Sequence, residues 1–334
     1  MVQLVTERES QMGKKSFILD TDTAQDDCVA LLLGLLDGDA SLEAITMVAG
    51  NVGFKQQIRN AHLTLNCAGK LNEVPIHVGC SRPMLQPWAS AENVHGDGTG
   101  GLTMDFSNCR VQDEHAVDAL LRITSEQPGE VSIVAIGPLT NIATAVVKDR
   151  SFVQNVKSLY IMGGSNNGRG NITSCAEFNF YVDPEAASIV LNAGFEDIVI
   201  LPWDPVTLKD ATITRQVYDS KANFNTPVAS FFKAVCDTTL AFNESVGIDG
   251  STHPDSMTLA TLLHPEIVLE SNLYRVDVET GSQLTRGYSS MAWSKFELAP
   301  NATVIEKVDH EAFFSLVDQI LSTETKPNQK TWVQ

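Results

Sequence analysis

A cluster of four aspartates constrains this chain more than any other feature. Asp20, Asp22, Asp26 and Asp27 directly follow the apolar run Phe17-Ile-Leu. Like charges this close repel one another, so the cluster requires a cation or several hydrogen-bond donors to compensate it. A hard divalent cation is the simplest compensation.

The sequence around the cluster predicts a strand that passes into a helix. The apolar run at 28–36 contains no proline, so we expect a buried helix over 26–36 with Thr23 as its N-cap. Asp20 and Asp22 lie two residues apart at the strand end and should point to the same side, and the turn brings Asp27 back towards them. One pocket can therefore collect three or four carboxylate oxygens.

Three other interpretations of the cluster compete with a metal site. A calcium-binding EF-hand loop needs an oxygen ligand, Gly and Glu at its fifth, sixth and twelfth positions, where this chain has Ala24, Gln25 and Leu31. A phosphoryl-transfer enzyme with an aspartyl nucleophile also begins Asp-x-Asp after a strand, but that family carries Thr or Val where this chain has Ala24. Simple capping of a solvated helix explains the second pair of aspartates and leaves the first pair, on an apolar strand, unexplained.

Composition sets the class of protein. The chain has 334 residues, is 43% hydrophobic and carries a net charge of -18, which allows a large core and argues against nucleic acid or an anionic membrane as partner. Six cysteines without Cys-x-x-Cys spacing favour reduced thiols in the cytoplasm. We expect a flexible leader at 1–14, one domain at 15–324 and a loose tail at 325–334.

Strand-like and helical segments alternate through the first two thirds of the chain. Short apolar strands are predicted at 17–19, 42–48, 76–79, 131–136, 159–162 and 197–201, and helices at 26–36, 56–68, 116–125, 141–147 and 184–193. This alternation predicts an α/β fold with an open, mostly parallel, Rossmann-like sheet and helices on both faces. Ligands of such sheets bind at the carboxyl ends of the strands, where polar or glycine-rich turns follow in this chain.

The motifs together resemble the nucleoside hydrolases, calcium-dependent enzymes that cleave the N-glycosidic bond of ribonucleosides. The resemblance runs from Phe17 to about Leu321. The matching segments are Asp20-Thr-Asp-Thr-Ala-Gln-Asp-Asp27, Ala49-Gly-Asn51, Gly79-Cys-Ser-Arg-Pro83, His95-Gly-Asp-Gly98, Gly137-Pro-Leu-Thr-Asn141, Met162-Gly-Gly164, Gly170 to Asn179 and Asp183-Pro-Glu-Ala186. Each segment alone is a weak signal, but their order and spacing are specific.

The resemblance implies a metal site and a sugar site. Ca²⁺ would be bound by Asp22, Asp27, the main-chain carbonyl of Ile136 and Asp255, an all-oxygen set that suits this ion. Ribose hydroxyls would be held by Asp26 and Asn51 on one side and by Asn171, Glu177 and Asn179 on the other. The family also implies a small ribonucleoside as substrate and a homodimer or homotetramer.

Physical reasoning assigns the general base. Departure of the base leaves an oxocarbenium-like sugar, to which a ring of carboxylates and amide oxygens is complementary. Asp22, placed next to both the metal and its water, is the best general base for attack on C1′.

The acid that protonates the leaving base is the least defined part of the pattern. Many relatives carry His immediately before the late aspartate, whereas here Pro254 precedes Asp255 and His253 lies one residue earlier. The neighbourhood favours a catalytic role for His253, and His95, in a glycine-rich loop, is the alternative. The displaced histidine also leaves open a non-catalytic, Ca²⁺-dependent ribose or nucleoside-binding protein.

The sequence gives few signals for the residues that bind the base. Aromatic residues at 224–232 and Phe242 can stack on a base or fill the core, and the segment up to Gly250 can form a lid. We expect Trp203 to fill the rim rather than line the pocket, and the remaining histidines to be structural or superficial.

Overall fold

One nine-stranded sheet forms the centre of the molecule. The computed structural model describes residues 13–221, 223–292 and 296–333. Its strands are β1 (Lys15–Thr21), β2 (Ala40–Met47), β3 (Ile76–Val78), β4 (Leu102–Thr103), β5 (Ser132–Ala135), β6 (Leu159–Met162), β7 (Ile198–Leu201), β8 (Thr212–Ile213), β9 (Ser251–Thr252), β10 (Val268–Val278), β11 (Ser289–Ala292), β12 (Ala302–Val308) and β13 (Trp332–Val333). The large sheet has the order β11-β10-β12-β7-β6-β5-β1-β2-β3, and two small two-stranded sheets pair β13 with β4 and β8 with β9.

Helices connect the strands and cover both faces of the sheet. They are α1 (Gln25–Leu36), α2 (Phe54–Cys67), α3 (Glu92–His95), α4 (Ala116–Glu126), α5 (Thr140–Lys148), α6 (Phe152–Asn155), α7 (Phe178–Val182), α8 (Pro184–Leu191), α9 (Arg215–Lys221), α10 (Pro227–Ser245), α11 (Pro254–Leu263) and α12 (His310–Leu321). A π-helical turn at Trp203–Thr207 and a 3₁₀ turn at Pro265–Ile267 complete the set. In the described part of the chain, every helix is too short or too polar to span a bilayer.

The sheet confirms the predicted fold class. The seven strands from β3 to β12 in the sheet order pair in parallel, and β10 near one edge pairs antiparallel with both of its neighbours, β12 and β11. All six predicted strands are present, with ends that differ by a few residues. The sequence analysis did not predict β10, β11 and β12, which follow the last predicted strand.

Residue alternation along β1 explains how two cores form. Phe17 and Leu19 pack into one apolar cluster with α1, α10, α11 and α12, while Ile18 points into a second cluster with α4, α5 and α8. Successive strand residues face opposite sides, so a buried parallel strand must be apolar on both. β1 is such a strand until Asp20.

The chain order reverses at β1, which pairs with β2 on one side and with β5 on the other. Such a switch point leaves a crevice at the carboxyl ends of the two neighbouring strands. The aspartate cluster follows β1 and Ile136 follows β5, so the fold brings them to this crevice.

The two ends of the chain differ from each other. Most of the predicted leader lies outside the described residues. The tail predicted to be loose is instead attached: Asn66 exchanges side-chain hydrogen bonds with the backbone of Gln329 (2.7 and 3.1 Å), and Trp332–Val333 pairs with β4. The prediction of a loose tail was wrong because these hydrogen bonds join residues 263 positions apart, which local composition does not reveal.

Candidate active site

A cavity of about 470 Å³ opens at the carboxyl ends of the central strands. Its lining includes eight of the predicted site residues: Asp26, Asn51, His95, Ile136, Asn171, Glu177, Asn179 and Asp255. The other three, Asp22, Asp27 and His253, are buried and are not part of the lining. A second depression of about 520 Å³, next to Cys80 and His115, contains none of the predicted site residues. The acidic cavity is therefore the candidate active site.

Asp27 is fixed by three hydrogen bonds at the junction between β1 and α1. It accepts from the Thr21 hydroxyl at 2.6 Å, from the Ala24 backbone N–H at 3.1 Å and from the Asn51 side-chain amide at 3.1 Å. The N-cap of α1 is Ala24 and not Thr23 as predicted. Asp27, the third residue of the helix, accepts the backbone N–H of Ala24, as the residue at this position does in a capping box. Burial raises the pKa of Asp27 to about 6.

Asp22 lies beside Asp27 and is not satisfied by the protein. Its Oδ2 accepts the Asn51 backbone N–H at 2.8 Å, but its Oδ1 is buried without a hydrogen-bond partner. Burial, followed by the charge of Asp27, raises the pKa of Asp22 well above its ordinary value. A buried carboxylate oxygen with no donor is costly unless a cation or a water meets it.

Glycines allow the backbone to approach Asp22 from two sides. A Cβ at Gly50 would lie 1.9 Å from Oδ2 of Asp22, and one at Gly137 would lie 2.8 Å from its Oδ1. Neither position has room for a side chain while Asp22 keeps its place. The two glycines therefore define the position of this carboxylate.

Asp255 completes the acidic group from the first turn of α11. It is 8% exposed and faces the cavity, and its pKa is raised well above the ordinary value by burial and then by the charges of Asp27, Asp26 and Asp22. Buried carboxylates that raise one another's pKa values in this way suit a hard cation, whose charge would offset theirs. The carboxylates present thus have the chemistry that a divalent metal prefers.

Asp26, in contrast, is saturated by the protein. Its Oδ1 accepts from the Ser256 hydroxyl at 2.8 Å and lies 3.1 Å from His253 Nδ1, and its Oδ2 accepts the backbone N–H groups of Asp255 (2.6 Å) and Ser256 (3.2 Å). A carboxylate offers about four acceptor positions. Asp26 therefore joins α1 to the start of α11 as well as lining the cavity.

The opposite wall is formed by the loop before α7. Asn179 donates from its side-chain amide to the carbonyls of Ile136 (3.0 Å) and Met162 (3.1 Å). Glu177 caps α7 by accepting from the N–H groups of Asn179 and Phe180, and burial raises its pKa to about 7. The side-chain oxygen Oδ1 of Asn171 accepts the Phe178 N–H at 2.8 Å, which holds this loop against the helix.

The two histidines occupy different positions. His95 lines the cavity, its Nδ1 lies 3.2 Å from the Thr239 hydroxyl, and burial lowers its pKa to about 4. His253 is completely buried, does not line the cavity and stacks on Phe232. The prediction that His253 protonates the base was therefore wrong, because the residue that turns towards the cavity is Pro254.

Several residues that line the cavity were not assigned to it from the sequence. Trp203, expected to fill the rim, lines the cavity, whereas Phe231 and Phe232 belong to the core. Phe242, Asn243 and the segment from Val246 to Ile248 also line the cavity. Thr239 and Arg169 also line it; helical spacing from Phe242 was the only available signal for Thr239.

The fold and the cavity define an α/β enzyme with an acidic site at the switch point of its sheet. The model of the inosine-uridine preferring nucleoside hydrolase family matches residues 17–315, and the chain belongs to this family. It is a hydrolase of the N-glycosidic bond of ribonucleosides.

Individual relatives match nearly the whole chain. An uncharacterized protein of Schizosaccharomyces pombe is 35% identical over 305 residues, which cover 90% of this chain and 96% of the relative. The pyrimidine-specific ribonucleoside hydrolase RihA of Photobacterium profundum is 31% identical, with 92% and 99% covered. The structure of a purine-preferring ribonucleoside hydrolase from Gardnerella vaginalis superposes with a TM-score of 0.84 at 26% identity, covering 92% of this chain and 98% of that one. Relatives named as hydrolases favour an enzyme over the non-catalytic binder.

Proposed function

We propose that this enzyme hydrolyses ribonucleosides with Ca²⁺ bound by Asp22, Asp27, Asp255 and the carbonyl of Ile136. The observation that carries the proposal is the buried Oδ1 of Asp22, which has no partner in the protein and lies among mutually repelling carboxylates. Bound there, Ca²⁺ would offset the negative charge and make an adjacent water more acidic.

Asp22 is the general base in this proposal. The Asp22 carboxylate accepts one hydrogen bond from the protein, from the Asn51 N–H, and so keeps capacity for both the ion and the attacking water, whereas the oxygens of Asp27 already accept from Thr21, Ala24 and Asn51. The surrounding carboxylates favour the positive charge that develops on the sugar as the base departs.

Asn51, Asn171, Glu177 and Asn179 hold the ribose in this proposal, whereas Asp26, which was also expected to bind it, has its four acceptor positions filled by protein donors. The side-chain NH₂ group of Asn51 donates to Asp27, and that of Asn179 donates to the carbonyl of Ile136. These hydrogen bonds fix both side chains at the cavity wall. Fixed hydrogen-bonding groups orient a substrate at little entropic cost.

His95 assists departure of the base. With a pKa of about 4 its imidazole is neutral at pH 7, so it acts as a hydrogen-bond donor and not as an imidazolium acid. A hydrogen bond donated by the Thr239 hydroxyl to Nδ1 leaves the proton on Nε2, which is then available to the leaving base.

The metal proposal is tested on chelator-stripped enzyme. We expect calorimetry to detect Ca²⁺ uptake, and release of reducing sugar from uridine, cytidine, inosine and adenosine to require the added ion. Turnover that persists unchanged in the stripped enzyme would contradict the proposal.

The role of His95 is tested by the choice of leaving group. His95→Ala should slow hydrolysis of the nucleoside that the wild-type enzyme hydrolyses fastest by roughly 100-fold. The rate of hydrolysis of 4-nitrophenyl β-D-ribofuranoside should be almost unaffected, because nitrophenolate departs without a proton. Equal losses on both substrates would remove His95 from leaving-group activation.

The enzyme is also proposed to be a cytoplasmic homodimer or homotetramer. Leu269 and Leu273, 52% and 64% exposed on β10, support an interface near the sheet edge, and the six free cysteines support a reducing compartment. Light scattering of the purified protein tests the assembly; a monomer at micromolar concentration would exclude it.

A further inference from the structure

A chain of three buried side chains lies behind the cavity. The Ser251 hydroxyl is 2.9 Å from Nε2 of His253, and Nδ1 of His253 is 3.1 Å from Oδ1 of Asp26. Ser251 and His253 are completely buried and Asp26 is 2% exposed. Neither the metal site nor the assignment of His95 makes use of this arrangement.

The order Ser-His-Asp is that of a hydrolase triad, but its surroundings exclude that role. A nucleophilic serine must meet the substrate, whereas Ser251 is inaccessible and does not line the cavity. The end of the chain that reaches the cavity is the carboxylate of Asp26. Any effect of these three residues on the active site must therefore pass through the Asp26 carboxylate.

The hydrogen-bond partners define the state of the imidazole. The carboxylate of Asp26 is an acceptor, so Nδ1 of His253 carries the proton and Nε2 accepts from the Ser251 hydroxyl. The ring stacks on Phe232 with a centroid distance of 5.5 Å and meets the edge of Phe314 at 5.8 Å. Packing and hydrogen bonds together fix the ring in one orientation.

Asp26 connects the fixed imidazole of His253 to the first turn of α11. The N-cap of α11 is His253, whose side chain makes no capping hydrogen bond. The first N–H groups of the helix, those of Asp255 and Ser256, are instead bound by Oδ2 of Asp26, at 2.6 and 3.2 Å. These groups have no partner within their own helix, so Asp26 replaces the missing cap.

We propose that His253 is a positioning residue that locks Asp26, and through Asp26 the first turn of α11 with the carboxylate of Asp255. This proposal rests on the proposed role of Asp255 as a metal ligand. Among the described residues, His253 is the one donor to Asp26 that lies outside the first turn of α11, so loss of Nδ1 leaves the carboxylate and that turn bound to each other but no longer fixed by the buried imidazole.

The test compares three substitutions that separate the two ring nitrogens. His253→Phe keeps the stacked ring and removes both nitrogens; His253→Asn keeps a donor near the position of Nδ1; His253→Gln keeps a polar group near the position of Nε2. We expect the dissociation constant of Ca²⁺, measured by calorimetry, to rise roughly 10- to 100-fold in the Phe and Gln variants and to return to within about threefold of wild type in the Asn variant.

Hydrogen exchange of the metal-free enzyme supplies a readout that does not depend on the ion. The amides of Asp255 and Ser256 should exchange faster in the Phe and Gln variants than in wild type or the Asn variant. If all three variants lose unfolding free energy equally while Ca²⁺ affinity and amide exchange stay as in wild type, His253 is only a core residue and the proposal is overturned.

The outcomes also separate this proposal from the metal proposal. Absence of Ca²⁺ uptake by wild-type enzyme would defeat the metal site, and exchange at the two amides would still decide the link from His253 to α11. Should the Phe variant fail to fold, the comparison of Asn with Gln decides: equal exchange rates in these two variants would overturn the proposal.

Discussion

Two groups of acidic residues lie at opposite ends of the same pair of helices. At the amino ends of α1 and α11, Asp22, Asp27 and Asp255 form the buried cluster beneath the cavity. At the carboxyl ends, Asp37, Asp39 and His264 bring ligand atoms within 4.8 Å of one another. Both groups have the composition of a metal site.

Their hydrogen bonding distinguishes them. Asp37 is paired with Nε2 of His264 at 2.8 Å and accepts the Asp39 backbone N–H at 2.8 Å, and Asp39 is exposed to water. The cavity cluster is buried and retains one carboxylate oxygen without a partner. Unmet hydrogen-bonding capacity, and not the number of acidic side chains, therefore distinguishes the cavity cluster from the exposed group.

The largest expected effect comes from Asp22→Asn. Removing the charge and the proton acceptor at the cavity cluster should lower kcat by at least about a thousandfold, because base catalysis and metal binding are both impaired. Release of reducing sugar under saturating nucleoside and Ca²⁺ measures it, with circular dichroism as the folding control. Near-normal turnover in this variant would contradict the proposed mechanism.

Gly50→Ala should have the next largest effect. A Cβ 1.9 Å from Oδ2 of Asp22 forces that carboxylate to move, so we expect Ca²⁺ affinity to fall on the order of 10- to 100-fold. Gly38→Ala is the matched control at the other group, because a Cβ there meets nothing within 4 Å. If both variants bind Ca²⁺ like wild type, the backbone at Gly50 does not define the site.

The contrast between the two groups also explains what the sequence was able to predict. The aspartates after β1 were identifiable because charged side chains at the end of a buried strand need a compensating ligand. The turns after parallel strands also lie at the same edge of the sheet, which brings their side chains together. His253 was misassigned because side-chain direction at the start of α11 depends on one residue of register. The contacts of Asp26 with α11 join residues more than 220 positions apart, and no local pattern contains them.

A smaller effect is expected on the leaving-group side of the cavity. Thr239→Val removes the hydroxyl next to Nδ1 of His95 and should slow nucleoside hydrolysis by about three- to tenfold, the value of one neutral hydrogen bond. Thr239→Ser keeps the hydroxyl and should restore the rate. Ca²⁺ affinity should not change in either variant, and a parallel fall in affinity would show that the two sides of the cavity are coupled.

The smallest effect is expected from Asp37→Asn at the second acidic group. The side chains of Asp37 and His264 are largely buried, at 10% and 15% exposed, but Asp37→Asn keeps an acceptor for His264, so the free energy of unfolding should fall by about 1 kcal/mol, the value of one ordinary hydrogen bond. Ca²⁺ affinity and kcat should remain within about twofold of wild type, because this end of α1 is remote from the cavity and has no buried, unpartnered carboxylate oxygen among its described residues. Urea unfolding and calorimetry on the same preparation measure both quantities. A loss of Ca²⁺ uptake in this variant, with Asp22→Asn still binding the ion, would move the metal site to the other end of the helices and reverse the comparison.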